Sequence, residues 1–299
     1  MITLSSKRLR VELAAPGEAP NNKYRFDHAG FITEVILDNT VRFCASEPQN
    51  LNHPSSGGRG LCNEYGFDIS KEVPAGEFFP KFGIGLIQKA ADESFVFYKN
   101  YKDVQLFPIN VHPTENSVTY ITEPIPCQGY ALRCKKEITL NDNLIIMAIS
   151  VENTGEKEIS LHEYCHNFLS IDGMSAGPDY CLDIPGIHDL GYERLIDSNG
   201  LSTHLKGNGK GITFCEHTAI GTFYSVDTAN ISENIPFTWT LSHKGAKASV
   251  EAEEYFTPSR INIWGVDHML CPEMMHQFSV KPGEIHEWKR SWKFEKQYE

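Results

Sequence analysis

Apolar residues recur at every second position along most of this chain, and that alternation constrains its fold more than any other feature. Arg10-Val11-Glu12-Leu13 alternates near the start. Gly30-Phe31-Ile32-Thr33-Glu34-Val35-Ile36-Leu37-Asp38 is a β-branched run that ends on a turn signal, Asp38-Asn39-Thr40, and Val41-Arg42-Phe43-Cys44 resumes it as a hairpin. Further strands are predicted at Ser94–Tyr98, Val118–Thr122, Tyr130–Thr139 and Leu144–Val151. Asn141-Asp142-Asn143 is a tight turn, because Asn and Asp tolerate the left-handed conformation. Asn153-Thr154-Gly155 turns the chain again and Glu158–Ile171 returns, so 130–171 reads as an antiparallel meander. Gly211–Cys215, Phe237–Leu241, Ala248–Phe256, Arg260–Trp264, Gln277–Val280 and Ile285–Phe294 continue the pattern, the last two across a Lys281-Pro282-Gly283-Glu284 turn. No amphipathic helix longer than about two turns can be drawn, where globular helices average about eleven residues. The prediction is all-β: one antiparallel domain over 1–299, a large β-sandwich.

Charge narrows the function. The chain carries 27 basic and 39 acidic residues, a formal net charge of −12, which repels nucleic acid and anionic membrane surfaces. The sequence shows no apolar run of membrane-spanning or signal-peptide length, so a cytoplasmic location is expected. Its eight cysteines form no C-x-x-C and read as small core residues of a reducing compartment. Residues 45–60, rich in Pro, Asn, Ser and Gly, form a loop long enough to suggest a role in function.

One stretch allows two incompatible readings. His162-Glu163-Tyr164-Cys165-His166 spells H-E-x-x-H, the zinc-hydrolase signature. That motif works on a helix, where positions four apart lie roughly 6 Å from one another and share a metal. On a strand the same spacing spans about 13 Å. The flanking Ile159-Ser160-Leu161 and Phe168-Leu169-Ser170-Ile171 favour a strand, no helix cap precedes the stretch, and a third ligand (His188 or Asp183) is not singled out. As a strand, it puts His162, Tyr164, His166 and Phe168 on one face and Glu163 on the other. Such a polar-aromatic face suits a sugar, which needs hydrogen-bond partners for its hydroxyls and a flat apolar surface for its C–H face. A lone histidine is more often a half-buried, hydrogen-bonded residue.

These pieces resemble the galactose mutarotase-like superfamily, the aldose 1-epimerases and their relatives. The similarity rests on the run from Leu144 to Lys157, on His166-Asn167-Phe168-Leu169, on the glycine loop ending Gly58-Arg59-Gly60-Leu61, and on the closing segments Ile261-Asn262-Ile263-Trp264, Cys271-Pro272-Glu273 and Phe278 to Trp288. The resemblance implies a β-supersandwich that interconverts the α and β anomers of a monosaccharide. In it Glu273 is the base at the anomeric hydroxyl and His166 the acid at the ring oxygen, and the reaction needs neither metal nor cofactor. Four further residues are candidate sugar contacts, each with a plainer alternative. Arg59 and Lys81 read as hydroxyl or phosphate ligands or as ordinary charges. His162 reads as a hydroxyl ligand or a structural residue, and Trp264 as a stacking platform or core. Glu273, taken alone, reads as a solvated turn residue. The chain departs from the family's pattern at 78–85, which has no histidine, so no particular sugar is implied. The rival readings are a carbohydrate-binding protein without turnover and a zinc hydrolase using His162 and His166. No oligomeric state is implied.

Overall fold

The computed structural model describes residues 1–18, 24–48, 56–90, 93–187, 194–197, 200–228 and 230–296. Among these there is no α-helix, only a 3-10 turn at Ile171–Gly173, and no helix long and apolar enough to cross a membrane. His188 lies outside the described residues.

The described strands form three antiparallel sheets. The first runs β1 (Ile2–Ser5), β2 (Leu9–Leu13), β3 (Ile32–Leu37), β5 (Gly60–Gly66), β13 (Ile159–Phe168), β22 (Met269–Val280), β21 (Arg260–Val266), β18 (Phe223–Thr228), with β4 (Val41–Arg42) on β3. The second runs β15 (Arg194–Asp197), β16 (Gly200–Gly207), β17 (Gly211–Phe214), β14 (Tyr180–Asp183), β19 (Phe237–His243), β20 (Ala248–Glu254), β23 (Ile285–Lys296), β12 (Leu144–Asn153), β11 (Leu132–Asn141), β10 (Ser117–Thr122), β9 (Ile109–Pro113). The third is small: β6 (Phe78–Lys81), β7 (Gly85–Gln88) and β8 (Val104–Leu106). The two large sheets enclose the main core, to which Leu161 and Cys165 contribute from one side and Ile149, Trp292 and Phe294 from the other. The all-β sandwich expected from the alternation is what forms.

Two predicted local features differ. The 130–171 stretch is not a continuous meander. β11 pairs with β12 over ten residues, but β13 leaves for the other sheet, where β5 and β22 flank it. The far side of β12 is taken by β23, so no ladder position remains for β13. Asn153 makes the crossing: its amide nitrogen donates to the Lys157 and Val280 carbonyls, and its backbone meets Gly283 and Glu284. It thereby joins the β12–β13 arch to the β22–β23 arch, both of which pass from one sheet to the other. Ser94–Tyr98 is not a strand either. Its backbone donors go to side chains, Phe95 N to Ser70 Oγ and Val96 N to Tyr101 Oη, and Lys99 N closes a turn on Val96 O. The eight cysteines are free thiols; Cys62, Cys134, Cys165 and Cys271 are buried and the other four partly so.

The space between the sheets also holds charge. Glu163 is wholly buried on the inner face of β13 and accepts from Arg290 Nη1 at 2.7 Å, Arg290 Nη2 at 2.8 Å, Trp288 Nε1 at 3.0 Å and Asn63 Nδ2 at 2.6 Å. Arg290 Nε donates to Glu254 at 2.9 Å. The side-chain oxygen of Asn63, Oδ1, accepts from Lys136 Nζ at 2.8 Å, and that ammonium also meets Asp27 at 2.7 Å and the Ala29 backbone carbonyl at 2.8 Å. Burial alone would raise the Glu163 carboxyl, but Arg290 outweighs it and holds the group below the ordinary carboxylate range. Removing one partner of such a pair strands the others as bare buried charges. Arg290→Met should therefore lower unfolding free energy by about 3–5 kcal/mol, read as a lower denaturant midpoint.

Candidate active site

Register decides which side chains of β13 share a face. β13 pairs with β5 so that His162 opposes Gly66, Tyr164 opposes Glu64, His166 opposes Cys62 and Phe168 opposes Gly60. Directly opposed residues project to the same side of a sheet. His162, Tyr164, His166 and Phe168 thus form one row with Cys62 and Glu64 on the outer face, away from the second sheet. Glu163 points inward to Arg290, as the strand reading expects. The stretch is extended, the Tyr164 ring stands between the two histidines, and the helical geometry of a zinc hydrolase does not form. Among the described residues no group of three or more His, Cys, Asp or Glu side chains is placed to hold a metal.

On its other side β13 pairs with β22 from Ile159↔Val280 to Glu163↔His276. Three residues further along each strand, His166 faces Glu273; three further still, Leu169 faces Leu270 as an isolated bridge. Between them stands Pro272, which has no N–H to donate, and Asn167 Nδ2 donates to the Pro272 carbonyl at 2.6 Å in place of a ladder bond. His166 and Glu273 are therefore cross-strand neighbours. His166 Nε2 lies 2.9 Å from Glu273 Oε1, and the two side chains are 5 % and 4 % exposed. Glu273 is not a solvated turn residue: β22 runs straight through it. Its second oxygen accepts from Asn262 Nδ2 at 3.1 Å, and Asn262 Oδ1 accepts from Ser225 Oγ at 2.6 Å. A line of polar side chains across β22, β21 and β18 thus orients the carboxylate.

Aromatic rings enclose the dyad. Phe168 stacks face to face on His166 with centroids 3.8 Å apart, and Gly58 makes room for it, since a Cβ there would come within 2.0 Å of the Phe168 ring. Phe26 and Trp264 meet the imidazole edge-on at 5.8 and 5.7 Å. Trp264 lies on this outer face with Asn262, while Ile261 and Ile263 of the same strand enter the main core. The isoleucines of that strand thus occupy the face opposite Trp264. His166 Nδ1 is buried and has no hydrogen-bond partner within the described residues.

A second group of charges adjoins the dyad, and its centre, Glu64, was not singled out from sequence. Glu64 accepts from Arg25 Nε at 2.7 Å and from the Tyr164 hydroxyl, and Lys81 Nζ stands 3.4 Å away. Arg25 also donates to Ser56 Oγ at 2.9 Å and Tyr164 Oη at 3.0 Å, with its guanidinium against the Phe26 and Phe97 rings. The structure brings Lys81 here, 3 % exposed and donating to the Tyr65 carbonyl at 2.8 Å. His162 lies at the far end of the row over Gly66, its pKa lowered by burial and by Lys81 and Arg260, with Glu64 opposing. Arg59 does not join the group; its Nε donates to the Thr33 carbonyl of β3 at 2.9 Å. Glu64 could have been noticed as a lone charge in an otherwise apolar alternate row. Arg25 sits outside any strand and carries no periodic signal.

Burial alone would raise the Glu64 carboxyl, but Arg25 and Lys81 outweigh it and hold it at about 2. A carboxyl lowered in the folded chain stabilises it fully above the unfolded pKa, near 4.3, and that stability is lost as pH falls toward 2. Glu64→Gln should flatten the acid limb between pH 4.3 and 2 by at most about 1.4 kcal/mol per pH unit, measured by denaturant unfolding across that range.

No family model and no curated protein matches the chain. Solved structures do. The Slr1438 protein of Synechocystis sp. PCC 6803 aligns with a TM-score of 0.62 at 12% identity, over 99% of this chain and 96% of that one. A galactose mutarotase-like protein from Lactobacillus casei gives 0.60 at 12%, over 99% and 100%. A galactose mutarotase related enzyme from Lactobacillus acidophilus gives 0.58 at 14%, over 98% and 97%. At such identities the likeness speaks for architecture, and this chain has the galactose mutarotase-like fold.

Proposed function

We propose that the protein is an aldose 1-epimerase-like isomerase that interconverts the anomers of a monosaccharide or close derivative, with Glu273 and His166 as its base and acid. The observation that carries this reading is the His166–Glu273 contact itself: two titratable side chains from adjacent strands, almost wholly removed from water, facing one another on an aromatic-lined surface. The anomeric hydroxyl and the ring oxygen of a pyranose hang on the same carbon. An acid and a base that address both must be immediate neighbours, as these two are. Glu273 takes the proton of the anomeric hydroxyl as His166 delivers one to the ring oxygen, and the C1–ring-oxygen bond breaks to leave the open-chain aldehyde. Rotation about the C1–C2 bond presents the other face, and closure returns both protons to their donors. The dyad ends as it began.

The surroundings support the assignment. Asn262 fixes the carboxylate, Phe168 fixes the plane of the imidazole, and the half-buried Trp264 beside them supplies apolar surface for a sugar's C–H groups. A small-molecule carbohydrate is the proposed ligand.

Saturation-transfer NMR on a panel of aldoses tests the proposal. Wild type should speed the exchange of at least one anomer pair, and Glu273→Gln or His166→Asn should each reduce that rate by about 10²- to 10⁴-fold. Equilibration of every pair at the uncatalysed rate by the wild-type chain overturns it.

A further inference from the structure

We infer that Glu64 and Arg25 form the subsite that grips two adjacent hydroxyls on the side of the sugar ring remote from C1. The inference rests on the dyad reading, which places C1 at His166 and Glu273. Glu64 and Tyr164 oppose one another one alternate position along from Cys62 and His166, on the same face. That step is about 6.6–6.8 Å along the strands, on the scale of one pyranose ring. A ring with C1 at the dyad and its plane along β13 brings the hydroxyls of C3 and C4 to this group.

The chemistry there matches a vicinal diol. A hydroxyl both donates and accepts, so adjacent hydroxyls are best met by one acceptor and one donor side by side. Glu64 remains an ionised acceptor, and Arg25, fixed 2.7 Å from it through its Nε–H, keeps one further hydrogen on each of Nη1 and Nη2 beyond those given to Ser56 and Tyr164. The side chains of Arg25 and Glu64 are 15 % and 13 % exposed, so water reaches both, whereas the neighbouring dyad is more deeply covered. Tyr164 Oη, shared between them, and Ser56 Oγ hold the pair in register. The same contacts argue against a phosphate or carboxylate at this subsite. Arg25 is matched by Glu64, Tyr164 and Ser56, and Lys81 by Glu64 and the Tyr65 carbonyl, so an anion would have to displace the chain's own carboxylate.

Binding, and not turnover, tests the subsite. NMR shift titrations of the full chain with D-glucose, D-galactose and D-mannose, with their 3-deoxy and 4-deoxy counterparts, and with the hexose 6-phosphates, read it directly. At least one parent sugar should bind and lose about 10- to 100-fold in affinity when O3 or O4 is removed. Glu64→Gln should weaken the parent by a similar factor and the matching deoxy sugar by less than threefold. Should Glu64→Gln not fold, the deoxy series on the unaltered chain decides. Four results overturn the inference: no binding of any of the three sugars, deoxy sugars that bind as tightly as their parents, a 6-phosphate tenfold tighter than its parent, or a variant that weakens parent and deoxy sugar alike. Hydroxyl-dependent binding without anomer exchange would remove the isomerase reading and leave the subsite standing.

Discussion

The pair of Glu163 and Arg290 is the interaction on which the rest of the molecule depends. It joins the central strand of one sheet to a central strand of the other, and through Asn63 and Lys136 it reaches Asp27, the residue that pins the 24–28 segment over the outer face. A buried ion pair is weak evidence for stability compared with a packed apolar core. What it supplies is directional. A slip of one residue in β13 would turn Glu163 outward and drive His166 into the apolar core, leaving Arg290 as a bare buried charge. The charge network therefore makes the register of this strand close to all-or-none.

That register is also what assembles the site. The inward set of β13 is Leu161, Glu163, Cys165 and Asn167, and the outward set is His162, Tyr164, His166 and Phe168. The same strand serves folding with one face and the proposed chemistry with the other. The burial pattern records the change along it: alternating exposure at its start gives way to continuous burial from Glu163 onward. Both faces are covered where Phe26, Trp264 and Gly58 close over the outer row. Pro272 contributes by interrupting the backbone ladder beside His166, a gap that Asn167 fills with its side chain.

Period-two reading recovers this much because alternation is a local property: the face to which His166 belongs follows from its neighbours two residues away. The separation of Glu163 from the histidines, which removes the zinc-hydrolase reading, is legible in the same way. Pairing between distant strands is not. Asn153-Thr154-Gly155 has the same turn chemistry whether it closes a hairpin or arches between sheets, and only the prior claim of β23 on β12 decides which. Ser94–Tyr98 has strand composition but loses its backbone donors to Ser70 and Tyr101, partners with no sequence signature. Arg25 is invisible for the same reason, since its place beside Glu64 comes from an anchor two residues away, Asp27, that itself depends on the buried network.

The half of β13 that is buried on both faces limits how this chain can diverge. A change at Tyr164, His166 or Phe168 is at once a change to the site and a change to a packed interior. Selection for a new ligand on those positions would therefore always be taxed by folding. The neighbouring segments are less constrained: Arg25 also holds the Glu64 carboxylate, but its backbone lies outside the ladder. Arg25 and Ser56 reach the outer face from outside the strands, and substitutions there leave the central ladder intact. In a lineage that retains this strand, altered ligand preference should be written first in those flanking segments, with β13 as the slow-changing record of common ancestry.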